Sequence, residues 1–262
     1  MSLSDFEAAR LLSTADGRAI VDAVRRAEQV ERFRNGRVRD VDAVLRSLST
    51  RIRAATRGRL ERTSARGPAA LGLRGVVTIE ARIVALLREA SPRVLEALSP
   101  GLRDLALKQG ARIGVAGTRA LGSTVKQHVA GLFAGILRDA RGAVALSVSQ
   151  GEPVSEAMAR LDAVLKRARA QTATVVRTMS DAVAVQARER QIERDGFNLV
   201  RYVAILDEAT TEICEDLNGT VWRVGEGPRP PQHHGCRSFI APAESDAEEF
   251  SEVSLEQVRE AA

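Results

Sequence analysis

At 262 residues, 44% of them hydrophobic, the chain is long enough to bury a substantial core as one large domain or two ordinary ones. Two cysteines exclude a disulfide scaffold, Met1 to Gly17 has no charged segment leading into an apolar run, and the longest apolar stretch, Val129 to Leu137, falls well short of the ~20 residues of a membrane-spanning helix. The formal charge is +5, yet Glu244 to Ala262 holds seven acidic residues against Arg259 alone, a balance of −6 that leaves +11 on residues 1–243.

From Ser4 to about Arg194 the chain reads as successive helices. Ser4 and Glu7 form a capping-box pattern, and Asp16-Gly17 precedes a segment with Ile20, Val21, Val24 and Val30 near helical spacing. Asn35-Gly36 predicts a break. Val38 to Thr56 then places Val41, Val44, Leu45, Leu48 and Ile52 on one face, with arginines over the other. Gly58 to Gly75, with Gly67-Pro68, reads as a loop or flexible joint and closes an N-terminal helical region, residues 1–66.

A helical body, residues 76–196, follows. Ser91-Pro92 and Ser99-Pro100 each offer a helix start with proline just inside. Glycines between Gly110 and Gly142 suit close helix contacts better than phosphate binding, because "GVAGTRALG" lacks the spacing of a dinucleotide fingerprint and follows no strand. Gly151-Glu152-Pro153 predicts a further break before the stripe Met158, Leu161, Leu165 and Ala168. A long helix over Ala168 to Arg194 comes next, stopped by Asp195-Gly196.

The character changes at Phe197. "NLVRYVAILD" and "TVWRV" have strand composition and alternation, Asn218-Gly219 supplies a turn, and "EATTEICEDL" fits about two helical turns with Thr210 or Thr211 as N-cap. A proline-rich connection, Gly227 to Pro231, leads into "PPQHHGCRSF". The expected fold is therefore mainly α, an elongated helical body followed by a small C-terminal α+β module over residues 197–243, with an acidic tail over 244–262.

That module gathers both cysteines and two of the three histidines. His233 and Cys236 form an H-x-x-C pair whose gap lets both side chains converge on one ion, and Cys214 lies on the short helix. Imidazole nitrogen and thiolate sulfur suit a structural zinc, with His234, Asp207 or water as fourth ligand. A core of some forty residues gains from such a staple. Other readings of the same residues stand beside it: buried apolar cysteines, a Cys214–Cys236 disulfide, or a metal- or cysteine-dependent nuclease or hydrolase centred on His233, His234 and Cys236. Asp207 and Thr210 fit a local capping turn, Arg237 can clamp a carboxylate such as Asp207 in two-pronged fashion, and Trp222 fits a core position.

The order Asp207-x-x-Thr210, Cys214, Leu217-Asn218-Gly219, then Pro230-Pro231-x-His233-x-x-Cys236-Arg237 resembles the C-terminal signature of the phage Mu F-like minor head protein family, also called phage head morphogenesis proteins. "GEPVSEAMARL" and the helix containing Arg177-Thr178 are similar to that family's helical lead-in, so the likeness covers about residues 146–241. Met179 departs from the family's frequent Glu after Arg-Thr, and Ser238 from a frequent further cysteine. The resemblance implies a non-enzymatic, low-copy component of a virion head or procapsid, in the host cytoplasm during assembly, associated with the portal and other head proteins and assisting head assembly, DNA packaging or delivery. The basic body would then face DNA through non-specific electrostatics or an acidic protein surface. Basic solvated helix faces account for the same charge, as does a DNA-binding module outside any virion. Aromatics, at 3%, do not interleave with the arginines as a single-strand platform requires.

Overall fold

The computed structural model describes residues 15–64 and 73–244. The Ser4–Glu7 capping pattern and the acidic residues after Glu244 lie outside the described residues. Four long helices dominate: α1 (Ala15–Ser64), α2 (Leu73–Lys108), α3 (Val125–Ser149) and α4 (Val154–Arg194). Between α2 and α3 a minimal hairpin pairs β1 (Arg119–Ala120) with β2 (Ser123–Thr124). After α4 come β3 (Leu199–Val203), the short α5 (Glu212–Leu217), β4 (Val221–Arg223) and β5 (Phe239–Ala243). The fold is mainly α with a small α+β module.

The helices are longer and fewer than the local signals predict. Asn35-Gly36 does not break α1, and Gly58 to Ser64, read as part of a loop, continues it. Glycine in a helix costs about 1 kcal/mol, whereas full burial of one Val, Leu or Ile side chain contributes about 1.5–3 kcal/mol. Val30, Val41, Leu45, Leu48 and Ile52 are all buried along α1, so packing outweighs the glycines. Pro92 and Pro100 likewise start no new helix but lie inside α2. Each proline removes one N–H, and the carbonyls that lose it belong to Arg88 and Glu96, both exposed to water like the prolines themselves. Meanwhile Val94, Leu98, Leu102 and Leu105 keep the opposite side of α2 buried through both prolines. The expected break at Gly151-Glu152-Pro153 does separate α3 from α4, which begins earlier than the sequence suggested and absorbs the Met158 to Ala168 stripe. Gly131 and Gly142 do not serve close helix contacts: a Cβ added at either meets no described atom within 4 Å.

The chain divides into two compact units, neither a single stretch. Unit 1 comprises residues 1–36, 101–125 and 176–262, and unit 2 residues 37–100 and 126–175. The described residues of unit 2 are helical apart from the connection at 150–153. Buried stripes on its four helical segments include Leu45 and Ile52 of α1, Ile83 and Leu98 of α2, Phe133 and Ile136 of α3, and Leu161 and Leu165 of α4. Arginine pairs bridge these segments: Arg51 to Glu89, Arg53 to Asp162 and Arg169 to Asp42.

Unit 1 is built around the second part of α4, where residues 178 to 185 are all buried. The three-stranded antiparallel sheet has the order β4-β3-β5, with Val200 opposite Trp222 on one side and Pro242 on the other. Pro242 is tolerated because β5 is an edge strand. Period-two alternation sends the two sheet faces to different partners. Phe239, Ala241 and Val203 pack with Ile20, Val21 and Ala27 of α1, while Val200 and Ile240 pack with Val185 and Ile192 of α4. The α+β module thus shares its core with two helices instead of closing one by itself. Across unit 1, Arg34 of α1 donates to both carboxylate oxygens of Asp181 on α4 at 3.0 Å, a pair buried on both sides.

Candidate metal centre

Tyr202, Ala204, Cys214 and Cys236 form one buried cluster at the sheet, with Leu217 and Trp222 packed against it. Each member arrives by simple local geometry. Strand alternation turns Tyr202 to the same face as Val200. Thr211 caps α5 with extended backbone and no side-chain bond, and Cys214 then lies on the buried side of this short helix. The chain returns to β3 at Asn218-Gly219. Gly219 takes a φ of +80°, its N–H donates to the Tyr202 carbonyl at 2.9 Å, and the Asn218 side-chain oxygen accepts from the Ala204 N–H. A left-handed φ at that position favours glycine. In the last loop the Cys236 N–H donates to the His233 carbonyl at 3.2 Å, folding the H-x-x-C segment into a turn.

The outcome is a triad of donor atoms that could hold a metal ion. Cys214 Sγ lies 3.3 Å from His233 Nε2 and 3.7 Å from Cys236 Sγ, and the three donor atoms fall within 4.8 Å of one another. Tetrahedral zinc with Zn–S bonds of about 2.3 Å holds two sulfurs about 3.8 Å apart, so the sulfur spacing fits the ion. The imidazole is also placed for such an ion. His233 Nδ1 lies 3.1 Å from the His234 carbonyl, which can only accept, so Nδ1 is the donor there and Nε2 is the nitrogen that faces the sulfur. Both cysteines are buried, at 2% and 0% exposure, and His233 is half-buried.

The two thiols differ electrostatically. Burial pushes the Cys214 thiol up, but hydrogen bonds led by those from Ser238 and Tyr202 outweigh it and bring the thiol down to about 7. Burial raises the Cys236 thiol, and the neighbouring Cys214 adds to the rise. Tyr202 Oη stands 3.3 Å from Cys214 Sγ and 3.9 Å from Cys236 Sγ, so its hydroxyl borders the same space. Tyr202 itself is fully buried, and its ring tilts against Trp222 at 6.1 Å between centroids.

The other residues of the motif hold the frame. Asp207 and Thr210 form a turn: the Asp207 N–H donates to Thr210 Oγ1 at 2.8 Å, the Ala209 N–H donates to Asp207 Oδ1 at 2.9 Å, and Thr210 Oγ1 donates to the Ile205 carbonyl. Arg237 grips both oxygens of Asp207, with Nη1 at 2.6 Å from Oδ2. This guanidinium holds the Asp207 carboxyl down at about 2. His234 turns to α4, where its Nδ1 lies 3.5 Å from Thr178 Oγ1. Neither Asp207 nor His234 joins the Cys214, His233, Cys236 group.

Four residues outside the sequence reading of the centre prove to shape it. Thr178 accepts from the Gly235 N–H at 3.2 Å and ties the His233–Cys236 loop to α4. Glu189, one helical stretch further on, accepts from Arg229 Nε at 2.8 Å and from the Gly225 N–H, anchoring the proline-rich connection. Tyr202 and the buried Ser238 supply hydroxyls. The signals for them were slight: Tyr202 is the chain's single tyrosine, set in an alternating strand, and Thr178 stands in the Arg177-Thr178 pair of the helical lead-in.

The family model described as Phage Mu protein F like protein matches residues 139–241. Residues 139–241 are a Phage Mu F-like region. The Mu F-like region takes in the end of α3, all of α4, the sheet up to Ala241, the Cys-His-Cys triad and its anchors Thr178 and Glu189. No curated protein and no solved structure matches the chain significantly.

Proposed function

We propose that the chain is a minor head protein of a phage or procapsid, present in few copies beside the portal and other head proteins, assisting head assembly and DNA packaging or delivery without catalytic turnover. In this reading Cys214, His233 and Cys236 hold one structural zinc ion. The observation that carries it is the convergence of the three donor atoms inside a Mu F-like region. Zinc there would cross-link α5 to the His233–Arg237 loop, which Thr178 fastens to α4. The shape of unit 1 would then depend on the ion.

The disposition of the side chains supports a structural role over a catalytic one. Cys236 has no exposed surface and a thiol raised by burial, both unfavourable to a nucleophile. The free nitrogen of His233 faces the Cys214 sulfur, and His234 is held at Thr178. Zinc content and melting temperature of the purified chain test the centre: Cys214→Ser and Cys236→Ser should each lose the ion and lower the melting temperature together. A stable chain that never acquires zinc would refute the structural ion. Pull-down with portal and other head proteins of the same phage, and mass spectrometry of assembled particles, test the head reading. DNA cleavage in the presence of Mg²⁺, Mn²⁺ or Zn²⁺, abolished by His233→Ala in a folded chain, would overturn the non-enzymatic reading.

A further inference from the structure

The positive charge of the chain is partitioned by the fold. Unit 2 contains 20 Lys and Arg against 10 Asp and Glu, a balance of +10, whereas unit 1 up to residue 243 holds 18 against 17, a balance of +1. Because unit 2 is assembled from two separate stretches, this division is invisible along the chain. Of its 20 cations 18 are arginines, whose planar forks suit phosphate oxygens. Two surface grooves concentrate them. One is lined by Arg46, Arg53, Lys166 and Arg169 with the hydroxyl of Thr50 and a single carboxylate, Asp162, the other by Arg51, Arg62 and Arg82 with Thr78. Several of these arginines bridge helices through carboxylates, which fixes their position, while Arg62, Arg82 and Lys166 stand exposed.

The chemistry of the grooves selects among polyanions. Unit 2 contains one aromatic residue, Phe133, and it is buried, so no ring is offered for base stacking. A surface of arginine forks and hydroxyls without stacking rings contacts the sugar-phosphate backbone and reads no sequence. We infer that unit 2 is a duplex-DNA-binding body, using the Arg46–Lys166 and Arg51–Arg82 grooves, and that unit 1 leaves DNA alone. This deepens the head reading by assigning the nucleic-acid contact to one unit and the Cys-His-Cys centre to the other.

The test uses the full chain and a random-sequence duplex of about 30 base pairs, followed by fluorescence anisotropy over a salt series. A groove variant, Arg62→Gln with Arg82→Gln, Lys166→Gln and the neighbouring Arg167→Gln, should bind at least about tenfold more weakly and lower the log–log salt slope by about 3–4, near 0.9 per lost contact. All four residues are exposed, and an unchanged melting temperature confirms that the fold persists. A control variant removes the same charge from unit 1: Arg103→Gln with Lys108→Gln, Arg112→Gln and Arg223→Gln, also exposed. It should stay within about threefold of the parent. Equal losses in the two variants, or none in the groove variant, would overturn the assignment. Displacement of DNA by polyglutamate of equal charge would overturn it in favour of an acidic protein surface. Particle incorporation is scored separately: a chain that binds DNA through unit 2 yet never enters particles refutes the head reading alone, and one that enters particles without binding DNA refutes this inference alone.

Discussion

The hydroxyl of Tyr202 touches both sulfurs of the triad from a fully buried position, so its removal is felt there first. Tyr202→Phe should cost about 1 kcal/mol, the net worth of one buried hydrogen bond, and should raise the Cys214 thiol above about 7 by removing a donor to its thiolate. Thiolate absorbance against pH in the metal-free chain measures the shift, and an unmoved titration would contradict the contact. Asp207 provides a second titration. Arg237 holds its carboxyl at about 2, below the ordinary 3.8, so the stability it lends is complete above pH 4 and is lost as pH falls from about 4 to about 2. Asp207→Asn should flatten the melting-temperature profile across that window. The convergence of Cys214, His233 and Cys236 was legible in the sequence because the H-x-x-C spacing is local and cysteine and histidine are rare in this chain. Tyr202, Thr178 and Glu189 were not, since each is an ordinary strand or helix residue whose partner is brought near only by the tertiary fold.

Between elements, the Arg34–Asp181 pair joins α1 to α4 within unit 1. Burial pushes the Asp181 carboxyl up to about 7 against the pull of Arg34, with Glu31 adding to the rise and Arg177 opposing it. The folded value thus lies above the unfolded one, and the contribution of this group is full below pH 4 and declines as pH rises to about 7. Arg34→Met strands a buried carboxylate and should cost about 3–5 kcal/mol at pH 8, but less at pH 5, where Asp181 takes up a proton. Denaturant unfolding at the two pH values checks the difference. The apolar stripes of α1 and α4 were readable from their 3.6-residue period, as were the strand character of β3 and the stop after Arg194. The continuity of α1 through Asn35-Gly36 and of α2 through Pro92 and Pro100 was not. Local breakers carry a cost of about 1–3 kcal/mol, and the burial that outweighs it becomes visible only once the stripe is packed against its neighbours.

For the whole molecule, a zinc ion in the triad, as proposed, should make the two units respond differently to chelation. Chelation should raise amide exchange in β3, α5 and the second part of α4, which surround the triad, and leave the unit 2 segments of α1 and α2 protected. Uniform loss of protection would mean that the centre does not act through unit 1. Charge partition belongs to this scale as well, since it emerges only when residues 37–100 and 126–175 are recognised as one body. The pairing of Ile20 and Val21 with Phe239 and Ala241 carries a further consequence. These two apolar residues leave the ribosome more than two hundred residues ahead of the strand that covers them, so unit 1 cannot close until synthesis has passed β5. A fragment ending before Phe239 should therefore emerge sticky and chaperone-bound, however well its helices form.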